Sequence, residues 1–317
     1  MNDNRQITQV ALRNFEQARR RAWREKIAAR LGGRDEALLP FDVIRAQLRH
    51  KNPLYQGLQQ VPLAQIAGSV GRYQEFTRQF LPLHSSFRER WVRVESLALS
   101  AQGWPPIELY RIGNVYFVKD GNHRVAVARQ LGLDTVEAQV WAFPSEVELG
   151  PRDRLDNVLI RFGERNFLDQ TRLDKLVMDH GIQFTAPGGY SELLAQIEDL
   201  REKLKLIDGE PIAYEESVLA WYEIVYLPTL QILHDAGILQ HFPGRTEADL
   251  FVWLSAMRQQ LGELYGDYDR LEELARALAD DYGAGRLGKL TRQVRRLLGQ
   301  DAPAPLETPE ERADSDA

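Results

Sequence analysis

The chain of 317 residues contains no cysteine. That absence removes disulfides, thiol nucleophiles and Cys-ligated zinc or iron–sulfur centres together. It also has no apolar run of the length, about eighteen residues, that a membrane-spanning helix needs. The start, "MNDNRQITQVALRNFEQARR", lacks the apolar stretch of a signal peptide, so a cytoplasmic protein with no membrane partner is expected. Histidines are few and scattered (His50, His84, His123, His180, His234, His241). None has His-x-x-x-His or Glu-x-x-His spacing, and no metal site is expected.

Hydrophobic residues make up 44% of the chain and charged residues 27%, the profile of a globular protein. The formal net charge of -6 argues against a surface that coats nucleic acid throughout, but the charge is uneven. Residues 1–34 carry nine Lys and Arg against three acids, a local +6, and 301–317 carry six acids and one Arg. The basic segment reads as one amphipathic helix over about Thr8 to Leu31, stopped at Gly32-Gly33. Its run "ARRRAWREKIAAR" could lie on DNA or an acidic partner, and a solvated face explains it equally well.

Four segments are expected. Residues 1–54 hold the basic helix and a short second helix capped by Asp42. Residues 55–145 form an α+β module, in which "LQQVPLAQIAGS" is a strand running into a turn at Gly68-Ser69. "GRYQEFTRQFLPL" then carries Tyr73, Phe76, Phe80 and Leu81 on one helical face. "SSFRERWVRVESLALSAQG" opens with a Ser86–Glu89 capping box and aligns Phe87, Trp91, Val94 and Ala98. "PPIELYRI" and "VYFVKD" make a hairpin at Gly113-Asn114, a helix runs from Asn122 to Gly132, and "DTVEAQVWAF" is a strand. Residues 146–300 read as all-α, with stripes Leu193, Ile197, Leu200, Leu204 and Leu250, Leu254, Met257, Leu261, Leu264. There Thr246 caps with Asp249 at the third position, and Pro228 must break or kink its helix. Residues 301–317 read as a disordered acidic tail.

The chemistry concentrates in Asp120-Gly121-Asn122-His123-Arg124. A carboxylate that caps, a glycine that lets a ligand near the backbone, and unpaired N–H groups at a helix start suit an anion. His123 and Arg124 add donors, and Arg can grip phosphate bidentately. A phosphate pocket, most simply for a nucleotide, is one reading; a solvated Asp-Gly turn is the other.

On "VYFVKDGNHRVAVARQLGLDTVEAQV" the chain resembles the ParB/sulfiredoxin-like superfamily: a strand, Gly-x-[His/Arg]-Arg opening a helix that ends in Leu-Gly, then a strand. The resemblance covers about residues 60 to 142 and implies a small mixed-sheet module binding the phosphates of ATP or CTP, with or without Mg2+. It assigns phosphate contacts to Gly121, Asn122, His123 and Arg124 beside Asp120. The looser match of "VPLAQIAGSVGRYQEF" to the family's first strand and turn adds Ser69 and Arg72. Asn122 stands where sulfiredoxins carry Cys and segregation-type ParB proteins carry Glu, so sulfiredoxin chemistry is not implied. The whole chain also resembles a bacterial group that pairs such a module with a helical half containing "FPGRTEADL", here Phe242 to Leu250.

Three functions follow as expectations. The first is a nucleotide-binding regulator or DNA-associated factor. The second is a phosphotransferase resembling free-serine kinases, with Asp120 or Glu108 as base. The third is a non-catalytic scaffold.

Overall fold

A computed structural model of the chain describes residues 2–32, 37–49, 52–100 and 103–265. It divides into two units, Met1–Val158 and Leu159–Ala317. The expected tail, 301–317, and Leu261 and Leu264 of the second stripe fall outside the residues and side chains described.

The first unit is α+β. Helix α1 (Asn2–Gly32) precedes strand β1 (Leu39–Pro40), α2 (Phe41–Arg45), β2 (Leu54–Pro62), β3 (Ile66–Ser69) and α3 (Arg88–Ala98). Then come β4 (Ile107–Ile112), β5 (Val115–Asp120), α4 (Asn122–Gln130) and β6 (Thr135–Phe143). The strands form one sheet in the order β1-β3-β5-β4-β6-β2. β4 and β5 pair antiparallel with Ile112 opposite Val115, so the two-residue turn at Gly113-Asn114 forms as expected. β3 runs parallel to β5 and β4 parallel to β6.

Alternation within the strands decides the faces. Ile107, Leu109, Val118, Val136, Ala138 and Val140 enter a core that also takes Val125 and Val127 of α4. Phe117 and Phe143 point the other way, onto Phe41 of α2 at centroid distances of 5.6 and 5.5 Å. α1 belongs to this unit: Phe15, Ala18 and Ala22 are buried in the same core, and the Phe15 ring lies 5.7 Å from Trp91. Asn14 Nδ2 and Trp91 Nε1, the latter at 2.7 Å, both donate to Glu95, a fully buried carboxylate that ties α1 to α3.

Several local expectations are corrected. Gly68 and Ser69 lie in β3, and "LQQVPLAQIAGS" splits into two strands around a short 3-10 turn at Leu63–Gln65. Gly68 is there for close approach: a Cβ would meet Phe117 Cδ1 at 2.1 Å and the Leu39 carbonyl oxygen at 2.7 Å. "GRYQEFTRQFLPL" is no helix. Phe80 has φ 58°, Phe76 bridges Pro82, and Thr77 accepts from Phe80 N at 2.8 Å, so the segment folds back on itself. Its apolar residues fill the core, and their helical spacing is incidental.

The Ser86–Glu89 box does not form, because Ser85–Phe87 is a 3-10 turn and α3 starts at Arg88 with no side-chain cap. Asp42 lies inside α2, whose cap position is Pro40. Residues 146–154 precede the first helix of the C-terminal half and serve the first unit. Leu149 is 2% exposed and its carbonyl accepts from Asn114 N at 3.3 Å.

The second unit is helical: the rest of α5 (Leu155–Thr171), α6 (Leu173–Leu176), α7 (Gly189–Asp208), α8 (Tyr214–Ala220), α9 (Leu227–Asp235) and α10 (Glu247–Tyr265). Leu193, Ile197, Leu250 and Leu254 are buried as the stripes predict. The Thr246 cap is present and reciprocal: Asp249 N donates to Thr246 Oγ1 at 3.2 Å and Thr246 N to Asp249 Oδ2 at 3.0 Å. Pro228 sits in the first turn of α9, where the α-helical pattern restarts. A π-helical segment, Trp221–Tyr226, carries the chain from α8 into α9, so the missing proline N–H is absorbed by one wide stretch. Trp221 and Tyr226 stack there at 5.3 Å within the core.

Candidate functional site

α4 begins directly where β5 ends. Gly121 is its cap residue at φ 110°, and the first helical bond runs from Val125 N to the Gly121 carbonyl at 3.0 Å. The N–H groups of Asn122, His123 and Arg124 precede that bond, and the helix dipole adds positive potential at this end.

The sequence assigned Asp120 the cap, but no side-chain cap bond forms. The Asp120 carboxylate instead accepts from Arg124 one turn on. Arg124 is further held by donating to the Pro105 and Pro106 carbonyls at 2.7 and 3.0 Å. Its guanidinium therefore latches the helix start to the β4 approach. Gly121 has a packing reason for its identity, since a Cβ there would lie 2.5 Å from Ile107 Cγ2.

Ser69 and Asn122 do meet. Ser69 Oγ donates to Asn122 Oδ1 at 2.9 Å, and both residues are buried. Arg72, on the loop after β3, pairs with Glu75 at 3.0 Å and keeps part of its side chain exposed.

His123 is the unusual member. It is 3% exposed, and neither ring nitrogen has a hydrogen-bond partner. Its ring stands edge-on to Phe87 at 4.9 Å and Phe76 at 5.3 Å. Burial pushes its pKa down to about 4, helped by the charges of Arg90 and Arg72. At neutral pH the imidazole is uncharged, with one donor and one acceptor unpaired in an aromatic wall. An unpaired buried polar group costs roughly 1–3 kcal/mol, which a ligand atom could recover.

Seven residues were expected at one site, and the structure sorts them. Ser69, Asn122 and His123 converge on the start of α4, with Arg72 close enough to act on His123. Asp120 and Arg124 are engaged with each other, and Gly121 is packed on Ile107. Phe76, Phe87 and Arg90 were not foreseen. They arrive through the packing of α3 and the β3–α3 loop on α4, for which the local sequence carries no signal.

Glu108 is likewise occupied, with Lys119 Nζ at 2.7 Å. Both carboxylates considered as a phosphotransfer base thus sit in ion pairs. Among the described residues, no three His, Asp or Glu side chains converge as metal ligands. Nor is any helix there long and apolar enough to cross a membrane. No protein-family model, curated protein or solved structure matches the chain.

Proposed function

We propose that the protein binds the phosphates of a nucleotide at the start of α4, in a module of ParB/sulfiredoxin type, and acts as a regulator. The observation that carries this reading is His123. A Phe in its place would leave no polar atom unpaired, yet the aromatic wall holds a ring whose two nitrogens have no protein partner. Unpaired N–H groups, a helix dipole and two nearby arginines, Arg72 and Arg90, favour an anion as the missing partner. ATP and CTP both carry such phosphates. The donor set suits phosphate and not a protein-held metal, so any Mg2+ would arrive with the nucleotide.

In this reading Ser69 and Asn122 fix the strand-to-helix turn, and Asp120 with Arg124 braces it. The ion-paired state of Asp120 and Glu108 favours binding over phosphotransfer. Calorimetric titration and thermal shift with ATP, CTP, ADP and pyrophosphate test it. Arg72→Ala and His123→Phe are expected to weaken binding about tenfold or more, the value of one charge-assisted bond. Arg124→Ala is expected to lower the melting temperature while changing affinity little. No melting shift with any of the four, or full affinity in His123→Phe, would overturn the proposal.

A further inference from the structure

A second concentration of positive charge lies at the other end of α4. A cavity of about 940 Å3 in the first unit is lined by Arg21 of α1, Arg78, Arg129 of α4, Arg152 and Arg154. The only acids on its described lining are Glu25 and Asp153, so its walls carry a net +3 in a chain whose total is -6. A neighbouring cavity of about 720 Å3 shares Arg21 and Gln130 with it and adds Arg20, Arg24 and Trp23, with no acid. Joined through those shared residues, the two make one trough with seven arginines against two carboxylates.

The floor is built, not incidental. Arg129 donates to the carbonyls of Leu63 at 2.7 Å, Ile66 at 2.8 Å and Arg78 at 3.2 Å. Its guanidinium lies 5.1 Å from the Phe80 ring. Neutral carbonyls thus hold this cation, and its pKa is lowered to about 10 by burial and by the charge of Arg78. Two guanidiniums are kept close together at a cost that an anionic ligand would offset. The rim is exposed: Arg20, Arg24, Arg152 and Arg154 have no ion-pair partner among the described residues, and Trp23 is 66% exposed between the α1 arginines.

We infer that this trough binds the sugar–phosphate backbone of a single-stranded nucleic acid, with Trp23 as a stacking platform for an unpaired base. Every cation is an arginine, the side chain whose planar fork matches phosphate. The combination of a basic groove with an exposed aromatic is what strand binding without sequence preference uses. An acidic peptide would use the charge but leaves Trp23 without a role, and a duplex buries the base faces that Trp23 would meet. This inference is independent of the nucleotide reading, because none of the trough residues belongs to the start of α4.

Fluorescence anisotropy of the full chain with labelled oligothymidine and oligouridine strands of roughly 15 nucleotides tests it, with a duplex and polyglutamate as comparators. Salt-dependent strand binding is expected, with log K falling against log salt at a slope of about -3, for roughly four phosphates. The two strands distinguish DNA from RNA, and binding of either supports the inference. Combined Arg20→Glu, Arg24→Glu and Arg152→Glu is expected to lower affinity about 100-fold at an unchanged melting temperature. Should that variant melt early, Trp23→Ala alone carries the test, with an expected loss of about tenfold. Tighter binding of duplex or polyglutamate, no binding of either strand, or indifference to Trp23→Ala and the charge reversals would overturn it.

Discussion

His123→Phe isolates the energetics of the candidate site. In the wild type the ring is neutral until about pH 4, whereas in the unfolded chain it protonates near 6.5. The unfolded state therefore binds the proton first, and folding stability declines as pH falls from 6.5 towards 4. Below pH 4 the full loss is roughly 3 kcal/mol, at about 1.4 kcal/mol per pH unit of displacement. At pH 5 about 2 kcal/mol of it is already gone, by the same linkage.

Phe keeps the ring against Phe76 and Phe87 and deletes both unpaired nitrogens. The variant should gain about 1 kcal/mol at pH 7.5, from removed desolvation less some overpacking. Relative to wild type, the gain should grow to about 3 kcal/mol at pH 5. Carboxylates elsewhere titrate alike in both proteins, so the difference between the two curves belongs to His123. Thermal unfolding over pH 7.5 to 5 would show the melting temperatures separating by about 4–8 °C more at the acid end, at 2–4 °C per kcal/mol. Parallel curves would refute the reasoning, as would an imidazole resonance, assigned by its loss in the variant, that titrates near 6.5. Saturating pyrophosphate should raise the wild-type pKa above 4, because a phosphate beside the ring favours imidazolium, and the proton-linked part of the affinity should strengthen as pH falls through that raised pKa towards 4.

Glu95→Ala strands the Trp91 indole N–H in the core and deprives the part-buried Asn14 amide of its acceptor, and a loss of about 2–4 kcal/mol is expected. Because that carboxylate joins α1 to α3, limited proteolysis should then release α1 before the rest of the unit; simultaneous cleavage would count against the role. Gly68→Ala forces a methyl group against Phe117 and the Leu39 backbone, and should leave little folded protein in circular dichroism or size-exclusion chromatography. A near-native melting temperature in that variant would show that β3 can move away from Phe117.

Chain-local patterns found the elements whose causes are local. The hairpin at Gly113-Asn114, the alternation of β6, the stripes of α7 and α10 and the Thr246 cap all depend on residues a few positions apart. The same logic misled where distant partners decide. "GRYQEFTRQFLPL" has helical spacing, but its aromatics are claimed by α3 and α4, and the backbone bends through Phe80 to deliver them. At Pro228 propensity foretold a break or a kink, and there the α-helical pattern does give way, to the π-helical segment that ends at Tyr226.

For the candidate site the division is equally physical. Sequence alone determined that an Asp-Gly-Asn-His-Arg turn joins a buried strand to a helix, and that the helix start offers unpaired N–H groups. Those follow from residue types and their order. Only the tertiary structure decided what each side chain does there. Burial between two phenylalanines made His123 neutral and unpaired, and the Pro105 and Pro106 carbonyls turned Arg124 into a brace. Desolvation and the geometry of remote partners set those outcomes, and neither is written in a stretch of five residues.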